Sequence, residues 1–152
     1  MTLSTPPSAI KVGLALSLAS IIFGLILYLI EYIVGTEITG VSMLSTILPA
    51  MLTGTYFGSK SGEYLPAKTR WLAISIWIGV SFAYAAILFY YYDIPFSEIS
   101  AMISELGWFG LIILAVLIIA FIASYIAFKF GEKTGIKSLL QKKEKAEKSE
   151  QQ

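Results

Sequence analysis

The chain has 152 residues, room for one domain, of which 57% are apolar and only 14% charged, where soluble domains carry about 25% charged residues. That is a membrane composition. Cysteine and histidine are both absent, which excludes disulfides, thiolate nucleophiles, Cys/His zinc sites, imidazole bases and haem ligation through either residue. A net charge of +1 supplies no footprint for nucleic acid.

Four stretches are free of charge: residues 12–30, 38–59, 71–92 and 106–128. A hydrocarbon core about 30 Å thick needs roughly 20 helical residues. The expected fold is therefore all-α integral membrane, with four transmembrane helices arranged as two antiparallel hairpins. The spans cover about 12–33, 39–58, 71–92 and 107–128, inside a membrane domain of residues 1–136. The first span exceeds a signal-peptide apolar region and is followed by no small-x-small cleavage site, so it is expected to stay as an anchor. The second is the most polar. The first outer loop, 35–39, is short, which makes the first hairpin tight. The second outer loop, 93–105, places Phe96, Ile99, Met102, Ile103 and Leu106 on one stripe, with Ser97 as cap, and predicts a short amphipathic surface helix. The tail, 137–152, is rich in Lys and Glu and is expected to be a disordered cytoplasmic segment.

The cations orient the chain. With four spans, all eleven Lys and Arg fall on one side, at Lys11, in the second loop and in the tail. The other side holds Glu31, Glu37, Asp93, Glu98 and Glu105. The positive-inside rule places both termini in the cytoplasm. Tyr28, Tyr32, Tyr90, Tyr91, Tyr92 and Trp108 mark the outer edge, and Tyr56, Phe57, Tyr64, Trp71, Phe128 and Phe130 the inner one. Lys60, Lys68, Arg70, Lys129 and Lys133 are expected at the lipid headgroups.

Helices associate in lipid through close packing, which small residues permit. Ala50, Gly54, Gly58 and Gly62 recur every fourth residue, as do Ala123, Ala127, Gly131 and Gly135; Ser75, Gly79 and Ala83 form a third stripe. These residues are expected to pack the bundle, with homodimerisation as the competing use. The first two stripes end in Phe57-Gly58-Ser59-Lys60-Ser61-Gly62 and Phe130-Gly131-Glu132-Lys133-Thr134-Gly135, a repeat that would relate the two hairpins about an axis along the membrane normal. Both are fragments of a phosphate loop at most, without its spacing. A simpler account covers both: the glycines end the helices in left-handed conformations, and the lysines meet the negative helix ends and the anionic inner leaflet.

Pro49 removes an N–H from the second span, so Ser45, Thr46 or a neighbouring helix must satisfy the Ser45 carbonyl. Ser42, Ser45, Thr46, Pro49 and Thr53, with Tyr84 and Tyr125 across the bundle, are the candidate polar pocket. No ionisable residue lies near a membrane midplane, where ion-coupled carriers place one. No nucleophile with a base is visible, and no cofactor, metal or catalytic residue is expected.

From Pro49-Ala50-Met51 through Gly54-Thr55-Tyr56-Phe57 and Lys60-Ser61-Gly62 to Pro66 and Arg70-Trp71, the chain resembles a family of small, uncharacterised four-helix inner-membrane proteins of bacteria. The resemblance implies a bacterial inner-membrane location and carries no activity or site residues. It differs from small multidrug exporters, which hold a carboxylate in the middle of their first span. The expected role is non-enzymatic: an accessory, assembly or immunity-type membrane protein acting through helix–helix contacts. The expected partners are the lipid bilayer and a second copy or another membrane protein, and not nucleic acid. The alternative is a small homodimeric transporter or channel using the Pro49 pocket.

Overall fold

A computed structural model of the chain describes residues 7–35 and 41–150, except for the side chains of residues 41–44, 96, 102, 103 and 150. The described residues form five helices and no strand: α1 (Ala9–Val34), α2 (Val41–Ser61), α3 (Ala67–Tyr91), α4 (Phe96–Leu106) and α5 (Phe109–Glu150). Three of them, α1, α3 and α5, are long and apolar enough to cross a membrane. Among the described residues α2 is not counted with them.

Local chemistry sets the ends. The Ser8 hydroxyl accepts the Lys11 N–H at 3.4 Å to start α1, and Gly35, left-handed at φ 71°, stops it by donating to the Glu31 carbonyl. Gly62, at φ 72°, closes α2 in the same way through the Gly58 carbonyl. Gly135 does not act as a terminator: α5 runs through it to Glu150 as one helix of 42 residues. The expected disordered tail is therefore helical as far as Glu150. Beyond Gly135 the sequence is almost entirely Lys, Glu, Leu, Gln, Ala and Ser, without Gly or Pro to break it, and Glu144 and Lys148 pair one turn apart at 2.8 Å. The surface helix α4 forms where its stripe predicts it, but Pro95, not Ser97, is its N-cap. Ser97 lies inside the first turn because the proline already fixes the extended entry.

The helices pair in two parallel sets. Gly13 of α1 sits against Ala73 and Ile76 of α3, and further along Ser17 and Ser20 share a cavity with Ser81 and Tyr84, so α1 and α3 run parallel. Along α2, Met51, Thr55 and Ser59 meet Gly131 and Gly135 in ascending order, while Gly54 and Gly58 meet Phe128 and Glu132. Hence α2 and α5 run parallel too, and both oppose α1 and α3. This is the directionality that a duplicated hairpin requires. Gly54 lies level with Phe128 to Glu132 rather than with its repeat counterpart Ala127, a slip of about one turn. Followed back at that register, the start of α2 lies level with the middle of the apolar part of α5.

The core sits at one end, where Lys11, Lys60, Lys68, Lys129 and Lys133 gather. Val12, Leu16, Ala50, Phe57, Leu65, Ala73, Ile74, Ala127 and Phe128 are buried there together. Phe57 and Phe128, expected as headgroup aromatics, belong to this core. Toward the opposite end α1, α3 and α5 bury little. From Ile21 to Val34, from Phe82 to Tyr92 and from Trp108 to Ile119, nearly every large apolar side chain is exposed.

Candidate functional site

Two of the three expected packing stripes find each other. A Cβ placed on Gly54 would strike the Phe128 carbonyl oxygen, on Gly58 the Glu132 backbone, on Gly131 the Met51 carbonyl oxygen and on Gly135 that of Thr55. The α2 and α5 backbones are thus in direct contact over two turns, the closest approach helices can make. Ala50 is fully buried and Ala127 nearly so beside this seam, and Ala123 is half-buried. Gly62 closes it against the Leu139 side chain. The third stripe behaves differently. Ser75, Gly79 and Ala83 are exposed, and nothing lies within 4 Å of a Cβ on Gly79. The residues of α3 that pack inward are Ala73, Ile74, Trp77 and Ile78, on the other side of the helix.

The seam delivers a buried charge. Glu132 follows Gly131 and is fully buried, although it lies a turn past Phe128, the end of the apolar stretch. Its Oε1 accepts the Leu65 N–H at 2.9 Å, and its Oε2 faces Arg70 Nη1 at 3.6 Å. That separation is beyond a charge-assisted hydrogen bond, which runs to about 2.9 Å. Among the described residues, Arg70 Nε and Nη1 and Glu132 Oε2 are buried without a hydrogen-bond partner. The Arg70 guanidinium lies 5.2 Å from the centroid of the Tyr125 ring, whose plane stacks on Trp71 at 4.4 Å; Phe121 follows at 5.0 Å. Glu132 therefore joins the α2–α3 loop, the first turn of α3 and the glycine seam.

Arg70 was expected at the lipid headgroups, and the structure corrects that. Arg70 is 7% exposed, held inward beside the Glu132 carboxyl group and against the Tyr125 face. Lys68, Lys129 and Lys133 remain exposed, as does Lys60, which lies 5.7 Å from the centroid of the Tyr56 ring. Burial pushes the Glu132 carboxyl above the ordinary carboxylate range, against the Leu65 N–H, Arg70 and Lys129, which pull it down. Sequence reading missed Glu132 because it counted the residue with the cytoplasmic charges. The available signal was its phase, four residues after Phe128 on the face of the glycine stripe.

The Pro49 pocket does not assemble as expected. Pro49 is fully buried and Thr53 is 5% exposed against the bundle; Ser45 and Thr46 are half-buried and engaged. The Ser42 side chain lies outside the described residues. Tyr125 is committed to Trp71. Tyr84 instead joins Ser17, Ser20, Ile21, Trp77, Val80 and Ser81 around a laterally open cavity of about 210 Å³ between α1 and α3. Its three serines donate to carbonyls one turn back on their own helices: Gly13, Leu16 and Trp77. Among the described residues, no three acidic side chains gather to hold a metal ion. Comparison with family models, curated proteins and solved structures gives no match, so the residues and their geometry carry the functional reading.

Proposed function

We propose that this chain is a non-enzymatic integral protein of the bacterial inner membrane, of accessory, assembly or immunity type, acting through helix–helix contacts. The observation that carries the reading is the division of its packing surface. The two tightest stripes are spent on each other inside the chain. The far halves of α1, α3 and α5 are apolar and uncovered, with open space at Gly24, Gly79 and Gly110. Such faces suit lipid and other membrane helices alike. The four-span topology with both termini in the cytoplasm is part of this proposal. Its support is the one-sided distribution of cations, together with the opposed directions of α1 and α2, which return the chain to the basic end. On this view α2 crosses as the least lipid-exposed helix, so its polar residues face protein. Native mass spectrometry after extraction in mild detergent tests the role. A defined oligomer or a stoichiometric protein partner is expected, and a monomer carrying lipid alone would overturn it.

The cavity between α1 and α3 favours a second reading, a small homodimeric transporter or channel. It moves the candidate pocket from the Pro49 kink to Ser17, Ser20, Ser81 and Tyr84. Solute flux in liposomes that disappears in the combined Ser81→Ala and Tyr84→Phe variant would favour this reading over the first.

A further inference from the structure

We propose that the Arg70–Glu132 junction is a proton-binding site that holds the first turn of α3 and the α2–α3 loop onto α5, and that losing the proton from Glu132 loosens it.

Buried ion pairs that serve only as fixed supports are normally saturated with hydrogen bonds, because each unsatisfied polar atom costs free energy. This one is not. Oε2 of a fully buried carboxyl has no hydrogen bond, and its cation stands 3.6 Å away with two unpartnered nitrogens of its own. An ionised Glu132 is therefore poorly compensated in the closed junction, whereas a neutral carboxyl needs far less, and Arg70 keeps the Tyr125 face as a partner that does not depend on the charge of Glu132. Water at the basic end would solvate the carboxylate fully once the junction opened. The closed form accordingly binds the proton more tightly than the open one, and rising pH shifts the balance toward opening. The charged groups acting on Glu132 are Arg70 from α3 and Lys129 from its own helix. From α2 the Gly54 and Gly58 backbone lies against it, and from the loop the Leu65 N–H. Elsewhere α3 touches α5 chiefly through the stack of Trp71 on Phe121 and Tyr125, while Leu65, Ala73 and Ile74 stay anchored in the core, so the loosening is local to the Arg70–Glu132 contact and the turn that carries Lys68.

The chain has no cysteine, so spin labels at Lys68→Cys and Lys133→Cys, both exposed positions, report the junction directly. The full chain is placed in vesicles of phosphatidylethanolamine and phosphatidylglycerol and titrated between about pH 4 and pH 8. The label distance should lengthen as pH rises, with a midpoint above about 4.3, the ordinary value for Glu. Glu132→Gln, a neutral mimic of the protonated acid, should hold the short distance throughout. Arg70→Gln removes a charge that favours ionisation and should move the midpoint upward. A distance that stays constant over this range in the otherwise unmodified chain would overturn the proposal whether or not either variant folds. So would a transition that persists unchanged in Glu132→Gln.

Discussion

At Gly54 and Gly131 the chain tolerates no side chain, because the atoms that a Cβ would meet are backbone carbonyls of the facing helix. A flexible side chain can swing aside; a carbonyl in a helix cannot. Gly54→Leu is expected to abolish folded yield, and Gly131→Ala to cost at least the upper part of the roughly 1–3 kcal/mol typical of overpacking. Gly79→Ala, with open space around it, should leave folding unchanged or improve it slightly through helix propensity. Monodisperse yield on size-exclusion chromatography separates the two classes. Glu132 gives a second residue-level expectation. Burial raises its folded pKa above the unfolded value, so its contribution to stability is complete below about pH 4.3 and is lost as pH rises through the folded pKa. The melting temperature in detergent should fall across that window in the native sequence, and Glu132→Gln should remove this part of the dependence.

At the scale of elements, the parallel contact of α2 with α5 explains the character of α2. A helix that spends its glycines, Pro49 and Thr53 on protein contacts has little need of lipid-facing leucines, which is why composition alone ranks it below its neighbours. Of the hydroxyls that look like a pocket from their spacing, Thr53 is instead buried within the packed helices. The long C-terminal extension of α5 follows a different rule. Residues 141–149 are all exposed; propensity and pairs such as Glu144 with Lys148 maintain this part of the helix, each exposed pair contributing only about 0.3–0.5 kcal/mol. Lys143→Pro should therefore cost the extension its helix, at about 3 kcal/mol locally. Circular dichroism should register the loss while the yield of folded protein stays unchanged.

For the whole molecule, the confinement of all eleven cations to the side of the packed end, with none among the far-side loops, gives a topology that can be checked directly. A reporter fused after Asp93 should read outside the cytoplasm and one at the C-terminus inside it; a cytoplasmic signal after Asp93 would break the four-span proposal. Much of this was legible without coordinates. The scarcity and one-sidedness of charge, the apolar runs and the four-residue spacing of small residues are properties of the chain itself, and they specify helices, a membrane and the seam-forming faces of α2 and α5. Three things were not legible: which stripe would meet which, the register of α2 on α5, and the fate of Arg70 and Glu132. All three depend on residues distant in sequence. The stripe on α3 has the same local pattern as the two that pack, yet it faces outward because Ala73, Ile74 and Trp77 occupy the opposite side of its helix. Glu132 and Arg70 read as two more charges at a cytoplasmic helix end. Only the approach of two glycine-lined backbones closes water out around them and turns a solvated acid into a buried one.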